Sequence, residues 1–200
     1  MMIATVSRRC SLMKKKTFTT KKIVLAALLA ALTVAGSALR IKVPLSITGF
    51  GAFHLGNIIC ALSGILLGPW LGGLAAGLGS AIYDMLDPMY ISDAWLTFLM
   101  KGAYGLVAGL IAWCGSKNWG YVKATLAAAA GAVTYAVLYL AKSFFYNGML
   151  LSGLGADAAW LVVIEKLTPT FFNAVIAIVC APLLAVSIRT ALAKSHLSLD

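Results

Sequence analysis

Residues 14–39 read KKKTFTTKKIVLAALLAALTVAGSAL, and this stretch decides the fold class. Lys14, Lys15, Lys16, Lys21 and Lys22 lead into an uncharged apolar run over 23–39. A basic cluster ahead of an apolar run near the ~20 residues needed to cross a bilayer marks a membrane span with a cytoplasmic flank facing anionic lipid. The run exceeds the ~7–15 residues of a signal-peptide core, and further spans follow it. It is therefore read as a retained first helix.

The rest of the chain extends that reading. Of 200 residues 62% are hydrophobic and 11% charged, with a mean hydropathy of +0.95, against about a quarter charged in soluble domains. A small soluble domain cannot bury that much apolar surface, so lipid is the expected solvent. The formal charge is +10, and seven of the sixteen basic residues precede the first span: Arg8, Arg9 and the five lysines. Phe18 is the one aromatic residue among them, too few for base stacking, so the charge points to lipid and not to nucleic acid. Cys10, Cys60, Cys114 and Cys180 are widely separated and show no metal or redox spacing.

Six helices are predicted, over 22–39, 53–68, 70–86, 95–114, 122–147 and 159–188. Gly68-Pro69 breaks the second from the third as a tight hairpin turn. With the N-terminus inside, the cytoplasmic side holds eleven basic residues, counting Lys117, Lys123, Arg189 and Lys194 with the first seven. Arg40 and Lys42 alone fall opposite. This positive-inside asymmetry predicts an all-α integral membrane six-helix bundle with both termini cytoplasmic. Residues 1–21 form a basic N-terminal segment, 22–190 the transmembrane domain and 191–200 a cytoplasmic tail.

Ionisable residues inside spans are costly and mark functional sites. Those singled out here, with two asparagines beside them, share one half of the bilayer, the outer one: His54, Asn57, Asp84, Lys101, Lys142, Tyr146, Asn147 and Glu165. Thr97 and Tyr104 share a helix face with Lys101, and Lys142, Tyr146 and Asn147 recur at i, i+4 and i+5. The inner halves of the same helices are almost uncharged. A pore wants polar lining along its whole length, whereas a polar cup over an apolar floor suits a ligand pocket. Ion pairing of Asp84 with Lys101, and of Glu165 with Lys142 or Lys101, is the structural alternative. His54 also suits the membrane interface, as do Trp95 and Trp160. The loop 41–52, with Gly, Ser, Thr and Pro44, reads equally as a mobile lid or an inert connector.

Small residues recur at spacing four: Gly64 and Gly68, Gly73 and Gly77, Gly105 and Gly109, and the stripe Ala27, Ala31 and Ala35. Such faces pack helices closely, either within the bundle or against another membrane protein. The chain has no phosphate-binding loop, HExxH, nucleophile elbow or metal-ligand cluster. It is not expected to be an enzyme or to carry a cofactor, and inward transport would draw its energy from a partner or an ion.

The run Lys22-Ile-Val-Leu-Ala-Ala-Leu-Leu-Ala-Ala-Leu-Thr33, then His54-Leu-Gly-Asn57, Leu67-Gly-Pro69, Gly79-Ser80, Tyr83-Asp84, Thr97-Phe98 and Lys101-Gly102, form an ordered series. Over about residues 20–115 it resembles the substrate-binding S components of energy-coupling factor (ECF) vitamin transporters. The likeness is greatest to the branch of hydroxymethylpyrimidine and pyridoxine-type transporters. The resemblance implies a six-helix protein of the bacterial plasma membrane that binds a vitamin or its precursor at the extracellular side. It implies docking on an ECF transmembrane subunit served by two ATPase subunits, through the AxxxA face Ala27, Ala31 and Ala35. A ligand-free assembly protein, associating through its small-residue faces, is the alternative.

Overall fold

The computed structural model describes residues 20–45, 49–115 and 120–195. Arg8, Arg9, Lys14, Lys15, Lys16, Lys117, Cys10 and the centre of the 41–52 loop lie outside the described residues. Among those described, the chain is almost wholly helical. Helix α1 (Thr20–Ala38) is followed by strands β1 (Arg40–Leu45) and β2 (Gly49–His54). Then come α2 (Gly56–Leu67), α3 (Pro69–Leu86), a 3₁₀ turn (Ile91–Asp93) and α4 (Ala94–Trp113). Helix α5 (Tyr121–Lys142) runs on into a π-helical stretch (Ser143–Leu151), and α6 (Ala156–Lys194) closes the chain.

Among the described residues, four helical segments are long and apolar enough to cross a membrane: Thr20–Ala38, Ile91–Trp113, Tyr121–Leu151 and Ala156–Lys194. Their outward faces expose Val24, Leu28, Leu99, Val133, Val137, Phe171 and Leu183. A soluble protein would bury a surface of this kind; in a bilayer it meets lipid tails.

Helix α2 is different. It has 12 residues, all buried except the partly covered Ile59. At ~1.5 Å per residue it rises about 18 Å, well short of a ~30 Å hydrocarbon core. Gly68, at φ 82°, ends it. Proline at the next position starts α3, where its missing N–H costs nothing. The expected hairpin forms, with Gly72 packed against Ser63 and Gly64. Trp113 closes the turn, its Nε1 donating to the Ile65 carbonyl at 2.9 Å.

Glycines let α2, α3 and α4 approach this closely. A Cβ added at Gly105 would lie 2.7 Å from the Gly72 carbonyl oxygen, and one at Gly77 2.8 Å from that of Phe98. Away from the polar end, the core is alanine-rich, with Ala112, Ala124, Ala127, Ala128, Ala177 and Ala181 around Leu62 and Ile65. Ala27, Ala31 and Ala35, in contrast, lie on the exposed face of α1.

The loop 41–52 departs from an all-helical reading. Its flanks pair as an antiparallel hairpin, from Arg40 opposite His54 to Leu45 opposite Gly49. The second helix accordingly starts at Gly56, not at 53. Asn173 of α6 fastens β2, donating from Nδ2 to the Ala52 carbonyl at 2.8 Å and accepting from the His54 N–H at 3.1 Å.

Because the atom facing Gly105 belongs to backbone, it cannot swing aside. Gly105→Ala should destabilise by the ~1–3 kcal/mol typical of overpacking, a fall of roughly 2–10 °C in thermal midpoint at this chain length. Gly120→Ala, whose Cβ would meet nothing within 4 Å, should leave the midpoint unchanged. Thermal melts of both variants in detergent check this, and equal midpoints would refute the close-packing account.

Candidate substrate cavity

Because α2 is short, one end of the bundle has no central helix, and a cavity of about 90 Å³ occupies the space beyond its N-terminus. Ser37 at the end of α1 and Arg40, Ala52 and His54 of the hairpin border it. Ser80 and Asp84 of α3, Tyr90 and Asp93 of the connecting loop, and Thr97 and Lys101 of α4 line another side. The remaining wall is Tyr135, Tyr139 and Lys142 of α5, Asn147 of the π stretch, and Lys166, Pro169, Thr170 and Asn173 of α6.

Charge buried among apolar helices must be paired, and here it is. Lys101 Nζ donates to Asn57 Oδ1 and lies 4.1 Å from the Tyr135 ring centroid. Lys142 pairs with Asp93 Oδ2. Arg40 reaches Asp84 at 3.7 Å, donates from Nε to the Ser37 carbonyl at 3.1 Å, and stands over the rings of Tyr83 at 4.3 Å and Tyr90 at 4.8 Å. Tyr104, Tyr135 and Tyr139 stack in a row at centroid distances of 5.9 and 5.6 Å.

At the rim, Lys42 contacts Asp87 at 3.2 Å. Burial opposes ionisation of Asp87, but the Met89 N–H and the Lys42 ammonium outweigh it and hold this carboxyl below the usual carboxylate range. The hairpin is thereby tied to the α3–α4 loop.

Of the residues singled out in the sequence, His54, Asp84, Lys101, Lys142 and Asn147 come together around the cavity. Asn57 and Tyr104 are buried beside them as supports, Asn57 through Lys101 and Tyr104 beneath Tyr135. Tyr146 and Glu165 stand outside the lining. Tyr146 packs edge-on against Trp95 instead. The π stretch explains the difference: an i→i+5 repeat carries Asn147, five residues after Lys142, onto the cavity side where an α-helix would bring Tyr146. The pairings also differ from expectation, because β1 brings Arg40 to Asp84 and the 3₁₀ turn brings Asp93 to Lys142.

Lys166 was the less obvious neighbour of Glu165, yet α6 buries Val162, Lys166, Pro169, Thr170, Asn173, Ala177 and Ala181. Those positions recur at three and four, a phase that includes Lys166 and skips Glu165. Tyr135 and Tyr139 likewise continue the buried phase of Ala128 and Ala132. Arg40 and Asp93 lie in connecting segments, where periodicity carries no signal.

The profile of the family described as "ECF-type riboflavin transporter, S component" matches residues 17–190. A Pyrococcus woesei protein described as an uncharacterized protein in gap 3'region is 30% identical over 118 residues, 59% of this chain and 74% of that protein. A UPF0397 protein of Streptococcus gordonii is 34% identical over 95 residues, 48% of each chain.

The Asp93–Lys142 pair generates its own test. Lys142→Met alone leaves a buried carboxylate unpaired and should cost about 3–5 kcal/mol. The double variant Asp93→Leu/Lys142→Met should recover much of that loss. Denaturant titration in detergent reads both, and a double variant no more stable than the single would argue against the pair.

Proposed function

The chain belongs to the family of ECF-type riboflavin transporter S components, and we propose that it captures a vitamin or vitamin precursor at the extracellular face of the membrane. Membership makes it a membrane protein and the substrate-binding subunit of an ECF transporter, not an enzyme. The observation that carries the finer reading is the cavity above α2, where polar groups from every surrounding element converge on a space bounded below by an alanine-rich core. A ligand-free assembly protein would have no use for polar groups converging there.

The orientation is read with six passes of the chain, the short α2 and the segment leading into it together making the second, and with both termini in the cytoplasm. Lys21 and Lys22 at the start of α1, Lys123 at the start of α5, and Arg189 and Lys194 near the end of α6 support this, since they share the end remote from the cavity. The cavity then opens outward beneath the hairpin, which serves as its cover. A hydroxymethylpyrimidine, a pyridoxine or a related micronutrient is the substrate class of this reading. His54, Asp84, Lys101, Lys142 and Asn147 are the binding residues of this reading, with Asn57 and Tyr104 supporting them. Tyr146 and Glu165, outside the lining, take no part in it.

Delivery across the membrane falls to an ECF transmembrane subunit and two ATPase subunits. Ala27, Ala31 and Ala35 form the docking face of this proposal: α1 leaves them exposed, whereas the small residues of α2, α3 and α4 are consumed within the bundle.

Two measurements test the reading. In calorimetry with a panel of vitamins and precursors, wild-type protein should bind at least one member. Lys101→Ala and Asn147→Ala should each weaken that binding by about tenfold or more, ~1.4 kcal/mol, with the fold retained. Unchanged affinity in both variants would remove these residues from the site. Separately, Ala31→Leu should reduce both recovery of the transmembrane subunit in pull-downs and uptake, while leaving ligand affinity unaltered; normal uptake would count against the docking face.

A further inference from the structure

Four basic side chains line the cavity, Arg40, Lys101, Lys142 and Lys166, against the two carboxylates of Asp84 and Asp93. Counting charge alone, an anionic ligand would follow. The pairing points elsewhere. Arg40 is engaged by Asp84, Lys142 by Asp93 and Lys101 by Asn57 and Tyr135, and Lys166 also has a partner. Each of these cations therefore already has a partner within the protein.

What the protein leaves unanswered is acceptor capacity. Among the described residues, the buried side-chain atoms without a hydrogen-bond partner are His54 Nδ1, Asp93 Oδ1, Asn147 Oδ1 and the Tyr104 hydroxyl. The first three belong to residues of the cavity wall. An imidazole can change tautomer and an amide can be turned over, so His54 and Asn147 adapt to either kind of ligand. Asp93 cannot. Its Oδ2 holds Lys142, and Oδ1, an ionised carboxylate oxygen, can only accept. The residue is 9% exposed, and a buried acceptor without a donor destabilises the state that leaves it so.

We infer that the cavity is built for a ligand presenting hydrogen-bond donors, a planar ring carrying an exocyclic amino or hydroxyl group, and that Asp93 Oδ1 reads that group. The inference rests on the capture reading above and adds a specificity-determining residue to it. Asn147, on the neighbouring wall, accepts a second donor or turns to meet a ring nitrogen. Tyr139, at the end of the tyrosine row, supplies a ring face against which the ligand stacks. Lys142 holds the Asp93 carboxylate in place through its other oxygen. A site built to pair with a ligand N–H or O–H rejects the analogue that lacks it far more strongly than an apolar pocket discriminates by size.

The test uses the full chain in nanodiscs and four probes in calorimetry. These are an aminopyrimidine bearing a hydroxymethyl group, its deamino analogue, pyridoxine, and pyridoxine lacking its ring hydroxyl. Wild-type protein should prefer the donor-bearing member of at least one pair by about tenfold or more. In Asp93→Ala the two members of that pair should bind within about twofold of each other. A merely structural Asp93 would lower affinity for both members alike and leave the preference intact, and that result would overturn the inference. Should Asp93→Ala fail to fold, the wild-type pairs decide alone: equal affinity within both pairs overturns the inference and spares the capture reading. Binding of none of the four probes by folded wild-type protein would overturn the one-ring capture reading and this inference with it.

Discussion

A helix of 12 residues rises only about 18 Å, and α2 is such a helix, buried on almost every side at the centre of a lipid-facing bundle. It fills the core at one end only. Around it α1, α3, α4, α5 and α6 run on past its N-terminus, and their inward faces there have one another, the hairpin and a cavity for company. The polar residues of the chain collect at that level because it is where the packing leaves room for them. The glycine contacts among α2, α3 and α4 hold α2 in place, since with ordinary side chains at Gly72 and Gly105 these backbones could not approach so closely.

The second constraint is electrostatic. Charge is costly in a bundle surrounded by hydrocarbon, and three of the four cations at the cavity meet partners on other elements: Arg40 the Asp84 carboxylate of α3, Lys142 the Asp93 carboxylate of the 3₁₀ turn, and Lys101 the Asn57 amide oxygen of α2. These pairs join segments far apart in sequence and make the cavity wall one connected network. Such a wall holds its groups in position before a ligand arrives, which lowers the ordering cost of binding. The same pairs explain why Arg40, on the side poor in basic residues, is retained there: it is part of the wall and takes no part in the positive-inside asymmetry.

Much of this was legible in the sequence, for physical reasons. Long uncharged runs specify membrane helices whatever their tertiary contacts, and Gly68-Pro69 marks a turn through backbone chemistry alone. Lys101 and Asp84 stand out because charge within an apolar run is expensive. Legibility failed where position depends on three-dimensional phase. Of Tyr146 and Asn147, both expected at the site, the π stretch brings only Asn147 to the cavity, and nothing in the composition of Ser143–Leu151 announces the extra residue per turn. Glu165 and Lys166 were separable only by following the buried phase of α6. The β-hairpin, Arg40 and Asp93 lie in connections, where neither periodicity nor hydropathy speaks, and Arg40 and Asp93 find their charge partners more than forty residues away.

The account turns on the cavity above α2 being the place where a small solute is held. Native mass spectrometry of the protein extracted from its own membranes tests this most directly. The account predicts a one-to-one adduct with the mass of a small ring compound on the wild-type chain, and bare chain for Lys101→Ala prepared identically. Bare chain in both, or the same adduct in both, would contradict it.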